Sequence, residues 1–186
     1  VNTHVWWYLA RSSGIVAWGL LAASVLLGLV LSTRALGRRP APAWTADLHR
    51  GVGGMAVTFT VLHLLGIFAD SAVEFSVGAL FIPFVSEWRP GAVAWGIVAF
   101  YLLVAVELTS LLRRRISTRA WRWVHLSSFA LYVTATAHLL TAGTDAASPW
   151  LLGPVWATMV AIGALTLVRV LVPRGRSRRP VLRHVS

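Results

Sequence analysis

The chain has no cysteine, no lysine and only six acidic residues, set against seventeen arginines. Without cysteine there is no disulfide, no thiolate zinc site, no iron–sulfur cluster and no covalent attachment of c-type haem. Histidine is what remains to bind a metal or haem. Charge is scarce as well: 12% of the 186 residues are charged and 57% hydrophobic, too little polar surface for a soluble domain of this size. The composition is that of a membrane protein. A formal charge of +11 would suit nucleic acid if the arginines formed a stripe on a soluble face. They sit instead in short clusters between apolar runs, so membrane topology accounts for them and no nucleic-acid partner is expected.

A hydrocarbon core about 30 Å thick takes about 20 apolar helical residues to cross. Five stretches meet that length, at 13–33, 48–69, 91–112, 121–142 and 150–172. The apolar piece "FSVGALFIPFV" (75–85) is too short and is interrupted by Pro83, which predicts an interfacial or re-entrant segment in a loop. The expected fold is therefore an all-α integral membrane bundle of five transmembrane helices plus this short segment.

The arginines orient it. Arg34, Arg38 and Arg39 fill the first loop, Arg113, Arg114, Arg115 and Arg119 the third, and Arg174, Arg176, Arg178, Arg179 and Arg183 the tail, so these sides are expected to be cytoplasmic. The opposite loops hold Asp70, Glu74, Glu87 and Asp145 with Arg89. The N-terminus is then outside and the C-terminus inside the plasma membrane. A cleavable signal peptide is not expected, because it would put Arg34, Arg38 and Arg39 on the wrong side. Trp6, Trp7, Tyr8, Trp88 and Trp150 fall near outer interfaces and Trp44, Trp121 and Trp123 near inner ones, as an aromatic belt does. Residues 1–173 read as one membrane domain, and 174–186 as a basic cytoplasmic tail touching anionic headgroups.

Four of the six histidines fall in or at the edge of spans: His49 and His63 in the second, His125 and His138 in the fourth. An ionisable side chain at membrane depth marks a functional site by default. Separations of fourteen and thirteen residues correspond to about 21 Å and about 20 Å of helix. Spans two and four run the same way, so His49 comes level with His125 and His63 with His138. Two facing neutral imidazoles can take both axial positions of a haem iron, and two such pairs would hold two stacked haems. On an ideal helix His63 returns to within about 40° of His49, whereas His138 ends about 140° from His125. Either the fourth span is wound or kinked locally, or its ligands approach from different flanks. Zinc would need three or four converging ligands, which two separated pairs do not provide.

The neighbours admit two readings each. Gly51, Gly53 and Gly54 near His49 permit close approach of a macrocycle or simple helix packing. Arg50 and Arg122 stand where inner propionates would emerge, or serve only as positive-inside charge. Phe129 and Tyr132 fill the space between haems or belong to the core. Glu107 is placed to bond the free nitrogen of an inner histidine, or to pair with Arg50 or Arg122. His4 and His184 lie outside the spans.

These residues, with "WYLARSSGIVAWGLL" and "LHRGVGG", resemble the ferric reductase-like transmembrane family, which includes the membrane halves of NADPH oxidases and ferric reductases and the haem-binding membrane subunit of bacterial methionine sulfoxide reductase. The resemblance covers roughly residues 6–172. It implies two b-type haems, ligated by His49 and His125 on the inner side and His63 and His138 on the outer, and electron transport by a membrane subunit of an oxidoreductase. The implied partners are membrane lipid, a separate cytoplasmic flavin reductase or quinol as donor, and an extracytoplasmic redox protein or small acceptor. No Gly-rich nucleotide fingerprint is found, so no self-contained flavin or NAD(P)H domain is expected in this chain and no residue stands out as catalytic. The alternatives are a cytochrome b-like quinol-oxidising subunit and a non-redox scaffold or haem carrier.

Overall fold

The structure, a computed structural model, describes residues 4–33, 42–70 and 75–171, and the described residues are all helical or loop. The arginines of the first loop and tail, Glu74 and the tail itself lie outside them. In chain order the helices are α1 (His4–Thr33), α2 (Pro42–Ala69), α3 (Val77–Phe81), α4 (Pro90–Leu111), α5 (Thr118–Leu126), α6 (Ser128–Ala142) and α7 (Pro149–Leu171). Helix is the form that lets a single apolar segment satisfy its own backbone groups in lipid.

Four helices, α1, α2, α4 and α7, are long and apolar enough to cross a membrane. The chain is a multi-pass membrane protein. The outward faces carry large apolar side chains, among them Phe68, Leu111, Val160 and Val170, as a lipid-facing surface requires.

The expected fourth span, 121–142, differs: it is divided into α5 and α6 at Ser127. The reason is local. Ser127 has ψ −7°, its N–H donates to Val124 O at 3.0 Å, three residues back, and its hydroxyl donates to the same carbonyl at 2.6 Å. This tightened turn competes with the i→i−4 ladder, which resumes when Leu131 N donates to Ser127 O. The span that carries His125 and His138 is therefore not the single ideal helix on which their offset of about 140° was reckoned.

The short piece 75–85 holds α3, one and a half turns capped by Ser76 Oγ, which accepts from Ala79 N. It ends before Pro83 and packs on α4, where Tyr101 Oη donates to Phe81 O at 2.8 Å and the Phe81 and Phe100 rings meet edge-on.

α2 lies antiparallel along the whole of α1, and α6 lies antiparallel along α4. Gly66 makes the first pairing close: a Cβ there would come within 2.7 Å of Ala10 N. α1 also contacts α6 and α7, and the core forms where they meet, from Trp18, Leu21, Val25 and Leu29 of α1, Leu131, Tyr132 and Leu139 of α6, and Leu151, Val155 and Ile162 of α7. Two polar ties cross it, the first buried and the second half-buried: Trp18 Nε1 donates to Thr136 Oγ1 at 3.0 Å, and Tyr132 Oη is 2.7 Å from Thr158 Oγ1. Tyr132 thus faces α7 and belongs to the core.

Candidate functional site

The two antiparallel pairs of helices bring the four histidines into two facing couples. The ring centres of His49 and His125 are 6.0 Å apart with planes at 82°, and those of His63 and His138 are 6.2 Å apart at 77°. An imidazole nitrogen binds a first-row transition metal at about 2.0–2.1 Å, so two imidazoles on opposite sides of one ion have centres about 6 Å apart. The separations of 6.0 and 6.2 Å match that spacing, and they also fall within the roughly 4.5–7 Å of an edge-on ring pair. All four side chains are half-buried. Along α2 the fourteen residues between His49 and His63 put the couples about 20 Å apart.

Hydrogen bonding prepares three of the rings. His63 Nδ1 donates to Ala10 O at 2.7 Å, His138 Nδ1 to Ala92 O at 2.8 Å, and His49 Nδ1 to Ser24 O at 2.9 Å with Ser24 Oγ 3.2 Å away. A ring nitrogen facing a carbonyl must carry the proton, which leaves Nε2 as a lone-pair donor. Metal-bound histidines are typically oriented in this way. Among the described residues no protein group hydrogen-bonds to any of the four Nε2 atoms. His125 is the exception at Nδ1, which is buried without a hydrogen-bond partner among the described residues; its ring stacks on Trp121 at 4.9 Å and 21°.

Glycines opposite the rings make the fit possible. A Cβ at Gly14 would stand 2.8 Å from His63 Nδ1, one at Gly96 2.8 Å from the His138 ring, and one at Gly28 3.4 Å from His49 Cε1. Gly51 and Gly54, next to His49 in sequence, have no such neighbour among the described residues, and Gly53 abuts Glu107. Glu107 reaches neither an inner histidine nor Arg50 nor Arg122 through a hydrogen bond: its carboxylate lies against Gly53 without a hydrogen-bond or ion-pair partner among the described residues. Arg50 turns back to pair with Asp47, both exposed, and Arg122 is exposed on α5 beside Arg119 and Trp123.

The His63–His138 couple borders a cavity of about 310 Å³ lined by Gly14, Gly96, His63 and His138, with Trp7, Arg11 and Asp145 also on its wall. Arg11 grips Asp145 through two bonds of 2.5 Å, joining the start of α1 to the loop between α6 and α7. The Arg11 hydrogen bonds, and then its charge, hold the Asp145 carboxyl below the usual carboxylate range. Nearby, Arg89 Nη1 donates to Thr141 O at 2.9 Å near the end of α6.

Arg11, the three glycines and the carbonyls that meet the rings border the candidate site, and no sequence motif marks them. One signal was present: Gly14 and Gly28 are fourteen residues apart, the spacing of His49 and His63.

The chain is thus a multi-pass helical membrane protein in which two couples of imidazoles face each other. The chain belongs to the ferric reductase like transmembrane component family, whose model matches residues 5–136. Members of that family typically bind haem and carry electrons across membranes. No curated protein and no solved structure matches the chain.

Proposed function

We propose that this chain is the membrane subunit of a multi-component oxidoreductase and moves electrons across the plasma membrane through two b-type haems, one held by His49 and His125 and the other by His63 and His138. The observation that carries the reading is the pair of 6 Å couples, at 6.0 and 6.2 Å, in which three Nδ1 atoms are committed to carbonyls and the Nε2 atoms are left to ligate. A scaffold would gain most by using both nitrogens of each ring between helices; among the described residues one nitrogen of three rings and both nitrogens of His125 have no hydrogen-bond partner. In this reading α5 and α6 together make a fifth span, the N-terminus is outside, and the arginine-rich loops face the cytoplasm.

The bound haems would supply one-electron chemistry, alternating between ferric and ferrous iron. His49, His63, His125 and His138 would hold the iron, and the protein would keep their rings at fixed angles and exclude water with an apolar surround, which tunes potential. Arg50 and Arg122 are exposed, and Arg50 is paired with Asp47, so meeting inner propionates would require both side chains to turn inward. The donor is a separate cytoplasmic flavoprotein or a membrane quinol, and the acceptor an extracytoplasmic redox protein or small molecule.

The test is pairwise substitution. His63→Ala and His138→Ala should each remove the same haem, and His49→Ala and His125→Ala the other, read as a halved α-band with one remaining step in a spectroscopic redox titration. Four variants that lose stability with haem content unchanged would refute the reading in favour of the scaffold.

A further inference from the structure

The four ring environments follow one rule with a single breach. At His63 the ring is bracketed on α1 by Ala10 O and, four residues on, Gly14; at His49 by Ser24 O and Gly28; at His138, on α4, by Ala92 O and Gly96. In each, a helix carbonyl accepts Nδ1–H, and the glycine one turn later leaves space for the ring. Because Gly14 and Gly28 have the spacing of His63 and His49 in reverse, one antiparallel register serves both.

The same register can be followed along α4. Stepping inward from Gly96 by the thirteen residues that separate His138 from His125 reaches Thr109, and from Ala92 reaches Ala105. At the glycine's place in that count stands threonine, whose Oγ1 donates to Ala105 O at 2.7 Å. Among the described residues no glycine and no carbonyl is seen against the His125 ring, and its Nδ1 is buried and unpartnered. What holds this ring instead is a stack, with Trp121 at 4.9 Å and the Arg113 guanidinium 4.3 Å above the centre of the Trp121 ring.

We propose that His125 is the labile ligand of the pair of sites, positioned by the Arg113–Trp121 stack in place of the carbonyl-and-glycine cradle that holds the other three histidines. The proposal rests on the haem-ligation reading above. A ring without the Nδ1 bond is a weaker and less oriented donor, and stacking constrains its tilt but leaves its proton unanchored. The inner site therefore releases haem faster than the outer one. The absent hydrogen bond corresponds to roughly 2- to 10-fold in rate. Trp121 and Arg113 are positioning residues, acting on the iron only through His125.

Haem transfer from the detergent-purified chain to excess apomyoglobin, followed by loss of the b-type α-band, tests this. Two phases of equal amplitude are expected, the fast one being absent from His125→Ala. Trp121→Ala should accelerate the fast phase or abolish the inner haem while leaving the slow phase unchanged. Trp121→Phe, which keeps a stacking ring, should restore it, and Arg113→Ala should have a smaller effect on the same phase. A single release rate for both haems, a fast phase that survives in His125→Ala, or a Trp121→Ala variant that alters both phases equally or neither would overturn the proposal. Failure of the underlying reading looks different: the wild-type chain would carry no haem to release.

Discussion

Replacing Gly14 by alanine tests the packing of the outer couple at a single carbon. The new Cβ would lie 2.8 Å from His63 Nδ1 and 3.0 Å from Cε1, where ordinary contact starts at 3.4 Å, so the ring must retreat by about 0.6 Å. That movement lengthens or bends the 2.7 Å bond to Ala10 O. Losing it costs about 0.5–1.5 kcal/mol, and overpacking adds about 1–3 kcal/mol. Against this, alanine is favoured over glycine in a helix by about 0.8–1.0 kcal/mol. The packing terms win by about 0.5–3.7 kcal/mol, which is about 2- to 500-fold in affinity for the haem expected between His63 and His138. Gly19→Ala is the control on the same helix, because Gly19 is exposed and its Cβ would meet nothing within 4 Å; it should be neutral or slightly stabilising. Haem content by pyridine haemochrome and the slow phase of haem transfer measure both variants. If Gly14→Ala behaves like Gly19→Ala, retaining both haems at wild-type rates, the argument that glycine opens the ring's seat is refuted.

Gly66→Ala drives a Cβ into the backbone of Ala10 and should separate the outer ends of α1 and α2, lowering the thermal midpoint and the yield of monodisperse protein. Unchanged values would show that the two helices can part there without cost. Tyr132→Phe removes the bond to Thr158 and should lower stability by about 0.5–1.5 kcal/mol with haem content intact, measured by thermal unfolding in detergent. The Arg11–Asp145 pair carries a pH signature. Because the folded carboxyl is held below its unfolded value of about 3.9, its contribution is present above that pH and disappears as pH falls through the folded value. Arg11→Ala should therefore unfold at lower temperature than wild type at pH 7, with the gap closing in acid; a gap that persists at about pH 2–3, below most carboxylate values, would assign the effect to packing.

Much of the architecture was legible because its physical basis is local or periodic. Apolar runs of span length mark α1, α2, α4 and α7, and parallel spans with matched histidine spacing place His49 beside His125 and His63 beside His138. The division at Ser127 was not legible, since it depends on one hydroxyl outcompeting the helix ladder for Val124 O. Sequence neighbours also misdirected attention: Gly51 and Gly54 flank His49 in the chain yet turn away from its ring, while Gly28 stands against it from another helix. Arg11 and Asp145 are 134 residues apart, and nothing in their local patterns couples them before the fold does. Glu107, expected to pair with an inner histidine or arginine, meets Gly53 because the arginines turn to the surface, Arg50 toward Asp47.

The most direct measurement is haem quantitation against protein on the purified chain after haem-replete expression, with the reduced spectrum recorded on the same sample. The account predicts two b-type haems per chain, both reducible and both with bis-histidine spectra. A chain that folds and carries none, or one whose haem survives removal of all four histidines, would contradict it.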